Sequence, residues 1–173
     1  MGDPETIELD AEYDRIVDAL EDTTDRLAGM DETTDEYDVL DQRASRLETH
    51  RRGIEWVRDE WDVDSITLRP LTIGDDARLD EHTTSTPERR LWQIAIGTVD
   101  APYLEHDAEE YPGVKMDAVA KTVATIDDTI PIAVGRWLQD RIDGVSSVGN
   151  RNAADSYARL LTTKRAEETS TME

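Results

Sequence analysis

Ser65-Ile66-Thr67-Leu68-Arg69-Pro70-Leu71 is the stretch on which the fold turns. Apolar and polar residues alternate through it with the two-residue period of a strand. Pro70, which has no amide to donate, ends that strand or confines it to a sheet edge. On both sides the apolar spacing changes to the three- and four-residue steps of amphipathic helices. A strand this short is not stable alone, so it needs a partner strand from elsewhere in the chain.

Toward the N-terminus, Leu9, Tyr13, Ile16, Val17, Leu20 and Leu27 form one narrow apolar stripe, with Asp3-Pro4-Glu5 as its helix start and Gly29 as its stop. Thr33 followed by Glu36 fits a capping box, and Tyr37, Leu40, Ala44, Leu47, Ile54 and Val57 carry a second stripe toward Trp61. Two helices joined by a short turn make an antiparallel hairpin. Its seam is narrow, includes Arg51, and is weakened by Gly53, so the hairpin needs a neighbour or a second copy of the chain.

Toward the C-terminus, Thr72-Ile73-Gly74-Asp75-Asp76 opens a helix with acids in the first turn, and Thr86-Pro87-Glu88 opens another carrying Leu91, Ile94, Ala95 and Val99. Tyr103 to Gly113 is acidic, bounded by prolines and without period, which predicts a mobile loop. A helix follows from Lys115. Asp127-Asp128 then reads as the cap of a further helix with Pro131 near its start and Gly144 at its end, and a last helix holds Ala154, Tyr157, Leu160 and Leu161. The expected fold is mostly α. An N-terminal, coiled-coil-like helical hairpin over 1–62 precedes a compact, mostly helical domain with one short β-strand or hairpin over 63–166, and a flexible tail occupies 167–173.

The 173 residues hold 41 acids against 19 bases, a net charge of -22. Arginine dominates the bases, lysine occurring only at 115, 121 and 164, and phenylalanine is absent, so the core is thin. This balance resembles that of proteins from salt-accumulating archaea and their viruses. In molar salt the Debye length falls to about 3 Å and the self-repulsion of such a surface is screened. The sign is uneven along the chain. Residues 1–41 hold only Arg15 and Arg26 as bases, whereas 42–58 hold Arg43, Arg46, Arg51, Arg52 and Arg58 against Glu48 and Glu55. Opposite signs on consecutive segments predict pairing of the two, or docking on a charged partner.

Without cysteine there is no disulfide, thiolate metal site or cysteine nucleophile. His50, His82 and His106 are too far apart to share a helical face as zinc ligands, and no glycine loop or serine motif marks a phosphate or acyl-transfer site. His106 among Glu105, Asp107, Glu109 and Glu110 does not match a calcium loop. No catalytic residue, metal or cofactor is expected, and the protein reads as a non-enzyme. There is no membrane-length apolar run and no signal-peptide pattern at Met1 to Asp10, so a soluble, cytoplasmic protein of the host cell is expected, with the virion as the other location. Ala118 to Ile142, with Arg136 and Arg141, has the outline of a helix-turn-helix. Pro131 interrupts it and molar salt weakens phosphate binding, so nucleic acid is a lesser expectation.

Ile66-Thr67-Leu68-Arg69-Pro70-Leu71-Thr72-Ile73-Gly74-Asp75 resembles the opening of the small tail assembly chaperones of long-tailed viruses, and the likeness extends over residues 65–145. The resemblance implies a short strand, an acidic helix start, several small helices and a non-enzymatic factor that masks aggregation-prone surfaces of tail proteins. A structural virion subunit, such as a connector or tail component, satisfies the same features. The partner is then a viral tail or virion protein, or a second copy. The expected partner-binding residues are Leu40, Arg43, Leu47, Arg51, Ile54 and Trp61 on the hairpin, with Ile66, Leu68 and Arg69 on the strand.

Overall fold

The computed structural model describes residues 3–113, 115–147 and 163. Among these the elements run β1 (Glu5–Glu8), α1 (Leu9–Ala28), α2 (Asp35–Glu60), β2 (Ser65–Leu68), α3 (Ile73–His82), α4 (Thr86–Ile96), β3 (Thr98–Asp100), α5 (Met116–Thr129) and α6 (Ile132–Ser146). The described residues are mostly helical, and the expected helix pair follows the first strand. The helix expected around Ala154 to Leu161 and the tail from 167 lie outside the described residues.

The strand at Ser65–Leu68 is central, and both of its partners come from segments whose spacing predicts helix. β1 pairs with it antiparallel, Ile7 opposite Ile66, and β3 pairs on the other side, Thr98 opposite Leu68. Asp3-Pro4 therefore starts no helix. Ile7 alternates with exposed Thr6 and Glu8 and buries its side chain with Ile66 and Leu68, and α1 begins only at Leu9, whose amide donates to the Asp64 carbonyl at 2.9 Å. Val99 likewise belongs to a strand. Helix α4 stops at Gly97, where a Cβ would fall 2.8 Å from Ile142 Cδ1 and 2.9 Å from the Gln93 carbonyl, so only glycine lets the chain turn into β3 beneath α6.

Local capping fixes three of the six described helix starts, those of α2, α3 and α4. Thr72 and Asp75 form a reciprocal capping box on α3, and Ser85 accepts from the Glu88 amide at 3.3 Å on α4. On α2 the cap is Thr34, which accepts from the Tyr37 amide at 3.2 Å, while the neighbouring Thr33 is bound to Asp31 instead. Asp127 and Asp128 cap nothing; they fall in the last turn of α5, and α6 starts after Pro131 and runs through Gly144 to Ser146.

Among the described residues, one hydrophobic cluster joins the hairpin to the sheet and to α3 through α6. Ile16 of α1 and Leu47, Ile54 and Val57 of α2 belong to the same core as Ile66 and Leu68 of the sheet and Trp137, Leu138 and Ile142 of α6. The neighbour that the hairpin required is α6. At Gly53 the two backbones come so close that a Cβ would lie 2.8 Å from the Ala133 carbonyl oxygen. Gly53→Ala gains about 1 kcal/mol of helix propensity, yet overpacking against a backbone costs about 1–3 kcal/mol. The variant is expected to melt below the wild type in a thermal scan in molar salt; a rise in Tm would show that α6 yields freely.

The segment from Ala101 to Gly113 has no regular element, as expected, but it is pinned rather than free. Tyr103, His106 and Tyr111 are buried. Tyr103 shares a hydrogen bond of 2.6 Å with Thr98, and His106 Nδ1 lies 2.8 Å from the Thr122 hydroxyl, which also accepts from the Glu105 amide. Packing of three aromatic rings overrides a composition that reads as loop.

Candidate functional site

Most residues expected to grip a partner hold the chain's own fold. Ile54, Ile66 and Leu68 are fully buried, and Leu40 and Leu47 are buried as well. Arg69 is buried as well: its guanidinium reaches Asp75 through two hydrogen bonds of 3.0 and 3.2 Å. Arg51 is half-buried and held by Glu48 and Glu55 on its own helix. Trp61 packs its half-buried ring against Trp56 and Tyr103, with centroids 6.2 and 5.6 Å away. Of the nine, Arg43 alone is exposed, and it makes no ion pair among the described residues. Apolar seams are what a helix uses to fold, so a stripe in the sequence marks a core before it marks an interface.

The structure opens a different surface, a groove of about 1070 Å³ between α2, α4 and α6. Two close approaches flank it: Gly53 of α2 against Ala133 of α6, and Gly97 at the end of α4 against Ile142 of α6. Leu91 and Ile94 of α4 and Ile132 of α6 supply apolar surface, and Gln139 donates to Gln93 at 2.6 Å. Arg46, Arg90 and Arg136 come into the groove from one helix each. None of them forms a salt bridge among the described residues, whereas Arg15, Arg51, Arg58, Arg69, Arg89 and Arg141 are all paired.

The groove's own acids are partly engaged. Asp140 Oδ2 lies 2.9 Å from His50 Nε2, an electrostatic contact whose angles fall outside hydrogen-bond geometry. Burial lowers the His50 pKa, outweighing the Asp140 carboxylate that acts to raise it. Burial raises Asp143, with Asp140 adding to the effect against Gln139 and Arg90. The Thr49 hydroxyl donates to the Ser45 carbonyl at 3.1 Å rather than to His50. What the arrangement can do is hold a ligand with an apolar face and carboxylates beside it.

A second groove of about 730 Å³ lies between α1 and the end of α2, lined by Asp10, Tyr13, Glu55, Arg58, Asp59 and Asp62 among others. Arg58 bridges it, 2.8 Å from Asp10 and 4.6 Å from the Tyr13 ring centre. Among the described residues no group of three His, Asp or Glu side chains is placed to hold a metal ion, and no helix is long and apolar enough to cross a membrane. Helix α6, which a helix-turn-helix would present to DNA, is packed on α2 and α4. Its Val134, Trp137, Leu138 and Ile142 are buried, and Arg141 is tied to Glu5 and Glu12.

Comparison with protein-family models, with curated proteins and with solved structures finds no match to this chain.

Proposed function

We propose that this protein is a non-enzymatic, protein-binding factor in the assembly of a tailed virus particle of a halophilic host, and that its α2–α4–α6 groove receives an acidic, amphipathic segment of the client. One observation carries the reading: in a chain of net charge -22, arginines from three helices that are left without a salt bridge among the described residues gather, beside Asp41, Asp140 and Asp143, around a groove to which Leu91, Ile94 and Ile132 add apolar surface. In molar salt, screening over about 3 Å removes long-range attraction and leaves contacts at hydrogen-bond distance. Arginine is the side chain suited to that regime, because its planar fork binds a carboxylate through two parallel hydrogen bonds. The assembly role is supported by the resemblance at Ile66 to Asp75 to tail assembly chaperones.

The test is co-expression with the tail-tube and tape-measure proteins of the same genome, followed by size-exclusion chromatography in molar salt. The wild type is expected to co-elute with one of them, and R46E/R90E/R136E to bind at least about tenfold more weakly with unchanged circular dichroism, since like charges then face the client's acids. Co-elution unaffected by the triple change overturns the groove. Stoichiometric recovery of the protein in purified particles by mass spectrometry makes it a virion subunit instead, and a salt-dependent shift of duplex in a gel makes it a DNA-binding protein.

A further inference from the structure

We infer that the protein self-associates through the N-terminal half of α2, two copies crossing antiparallel near Gln42 so that the acidic turn of each meets the arginines of the other. The uncovered face of this helix is the observation behind it. Leu40, Ala44 and Leu47 turn one side of α2 toward α1, while Asp35, Asp38, Val39, Gln42, Ser45 and Arg46 are all exposed. Helix α6 covers this outer side only farther along, where Gly53 meets Ala133 and His50 meets Asp140.

The order of charge on that face selects a second copy as the occupant. Asp35, Glu36, Asp38 and Asp41 come first with no base among them, and Arg43 and Arg46 follow, neither in an ion pair among the described residues. Helices laid parallel would place acid on acid. Reversing one of them about Gln42 brings Asp38 opposite Arg46 of the second copy, and the two-fold axis repeats the pair, which is the self-complementarity an isologous interface requires. Val39 is 65% exposed on α2, and Ile132 is 77% exposed at the groove; the crossing carries each Val39 toward the mouth of the other copy's groove and takes apolar surface out of water.

This interface goes beyond client binding and shares Asp41, Gln42, Ser45 and Arg46 with the groove, so D38R, whose substitution lies outside the groove, is the variant that separates the two. Light scattering behind size exclusion in about 1 M KCl, where contact pairs survive screening, should show a dimer of the wild-type chain. D38R and R46E, both at exposed positions, should each weaken the dimer at least about tenfold by facing like charges. Mixing the two variants should restore a dimer containing one of each. The arginine introduced at position 38 of one chain then meets the glutamate introduced at position 46 of the other, while the native Arg46 of the first chain still meets the native Asp38 of the second. Native mass spectrometry of a mass-tagged pair would show that species. A wild type that stays monomeric at about 100 µM, a concentration that populates any micromolar dimer, overturns the interface, as does a D38R chain that still dimerises or a mixture that stays monomeric. Client binding by monomeric D38R, whose substitution lies outside the groove, reads the function proposed above independently of this result.

Discussion

Asp75→Ala is expected to lower the unfolding free energy by about 3–5 kcal/mol, the usual cost of removing one partner of a buried ion pair. Asp75 is 1% exposed and Arg69 5%, so the abandoned guanidinium cannot reach bulk water without opening the fold. The carboxylate does more than pair with Arg69. It accepts from the Thr72 amide at 2.8 Å, the Thr72 hydroxyl at 3.0 Å and the Tyr111 hydroxyl at 2.7 Å, so the change also strips the cap from α3 and releases the loop that Tyr111 anchors. A domain of this size has about 5–15 kcal/mol in all, and a thin core places this chain low in that range. Chemical denaturation in molar salt should therefore show the variant partly or wholly unfolded where the wild type is native. Asp75→Asn, which keeps one oxygen, to accept either from Thr72 as Oδ2 does or from Tyr111 as Oδ1 does, should lose less; equal losses would mean that the charge rather than the hydrogen bonds holds the site.

The same carboxylate fixes a pH dependence. Burial pushes the Asp75 pKa up, but Arg69, the Thr72 amide and Tyr111 together outweigh it, and the folded pKa lies below the ordinary value. A depressed acid pKa stabilises the fold at all pH above the unfolded value of about 3.9, and the stabilisation disappears as pH falls through the folded pKa. Acid unfolding of the wild type should steepen below about pH 4, and Asp75→Asn should flatten that limb. Tyr111, whose hydroxyl burial and the neighbouring carboxylate push up to about 12, stays protonated throughout and keeps donating.

What can be read from the sequence divides along the range of the forces involved. Helix entries at Thr72 and Ser85 are set by side chains three residues away, and the stripes of α1 and α2 by spacing along one helix, so these are visible without the fold. The strands Glu5–Glu8 and Thr98–Asp100 are hidden because elements of four and three residues take their conformation from their partner rather than from their own composition. The groove is hidden for a related reason. Arg46, Arg90 and Arg136 lie far apart in the chain, and the packing of α6 on α2 and α4 brings their helices together. One signal is available: the change of sign after residue 41, which marks where α2 turns from an acidic to a basic surface. The apolar seam misleads because a folded interior and a docking face have the same periodicity, and burial separates them only once α1 and α6 are in place.

Trp137→Ala is expected to cost about 3–5 kcal/mol, the range for deleting a large aromatic from a core, and its consequences should reach the other end of the chain. Trp137 is fully buried on α6, and its indole nitrogen donates to Glu12 Oε1 on α1 at 3.0 Å. Burial raises the Glu12 pKa, but Arg15, the indole and Arg141 outweigh it, so the carboxylate stays ionised in the interior. Truncation removes one of those three supports together with the packing. Trp137→Phe separates the two effects: it keeps most of the ring and loses the donor, which should cost about 1–3 kcal/mol and move the Glu12 pKa upward. If α1 and α2 were an independent arm, Trp137→Ala would leave a separate helical transition behind; because Ile16, Ile54 and Trp137 share one core, the variant should instead lose all its helix signal in a single transition at a lower denaturant midpoint. Two transitions in circular dichroism would show that the hydrogen bond from Trp137 to Glu12 bridges two units rather than closing one.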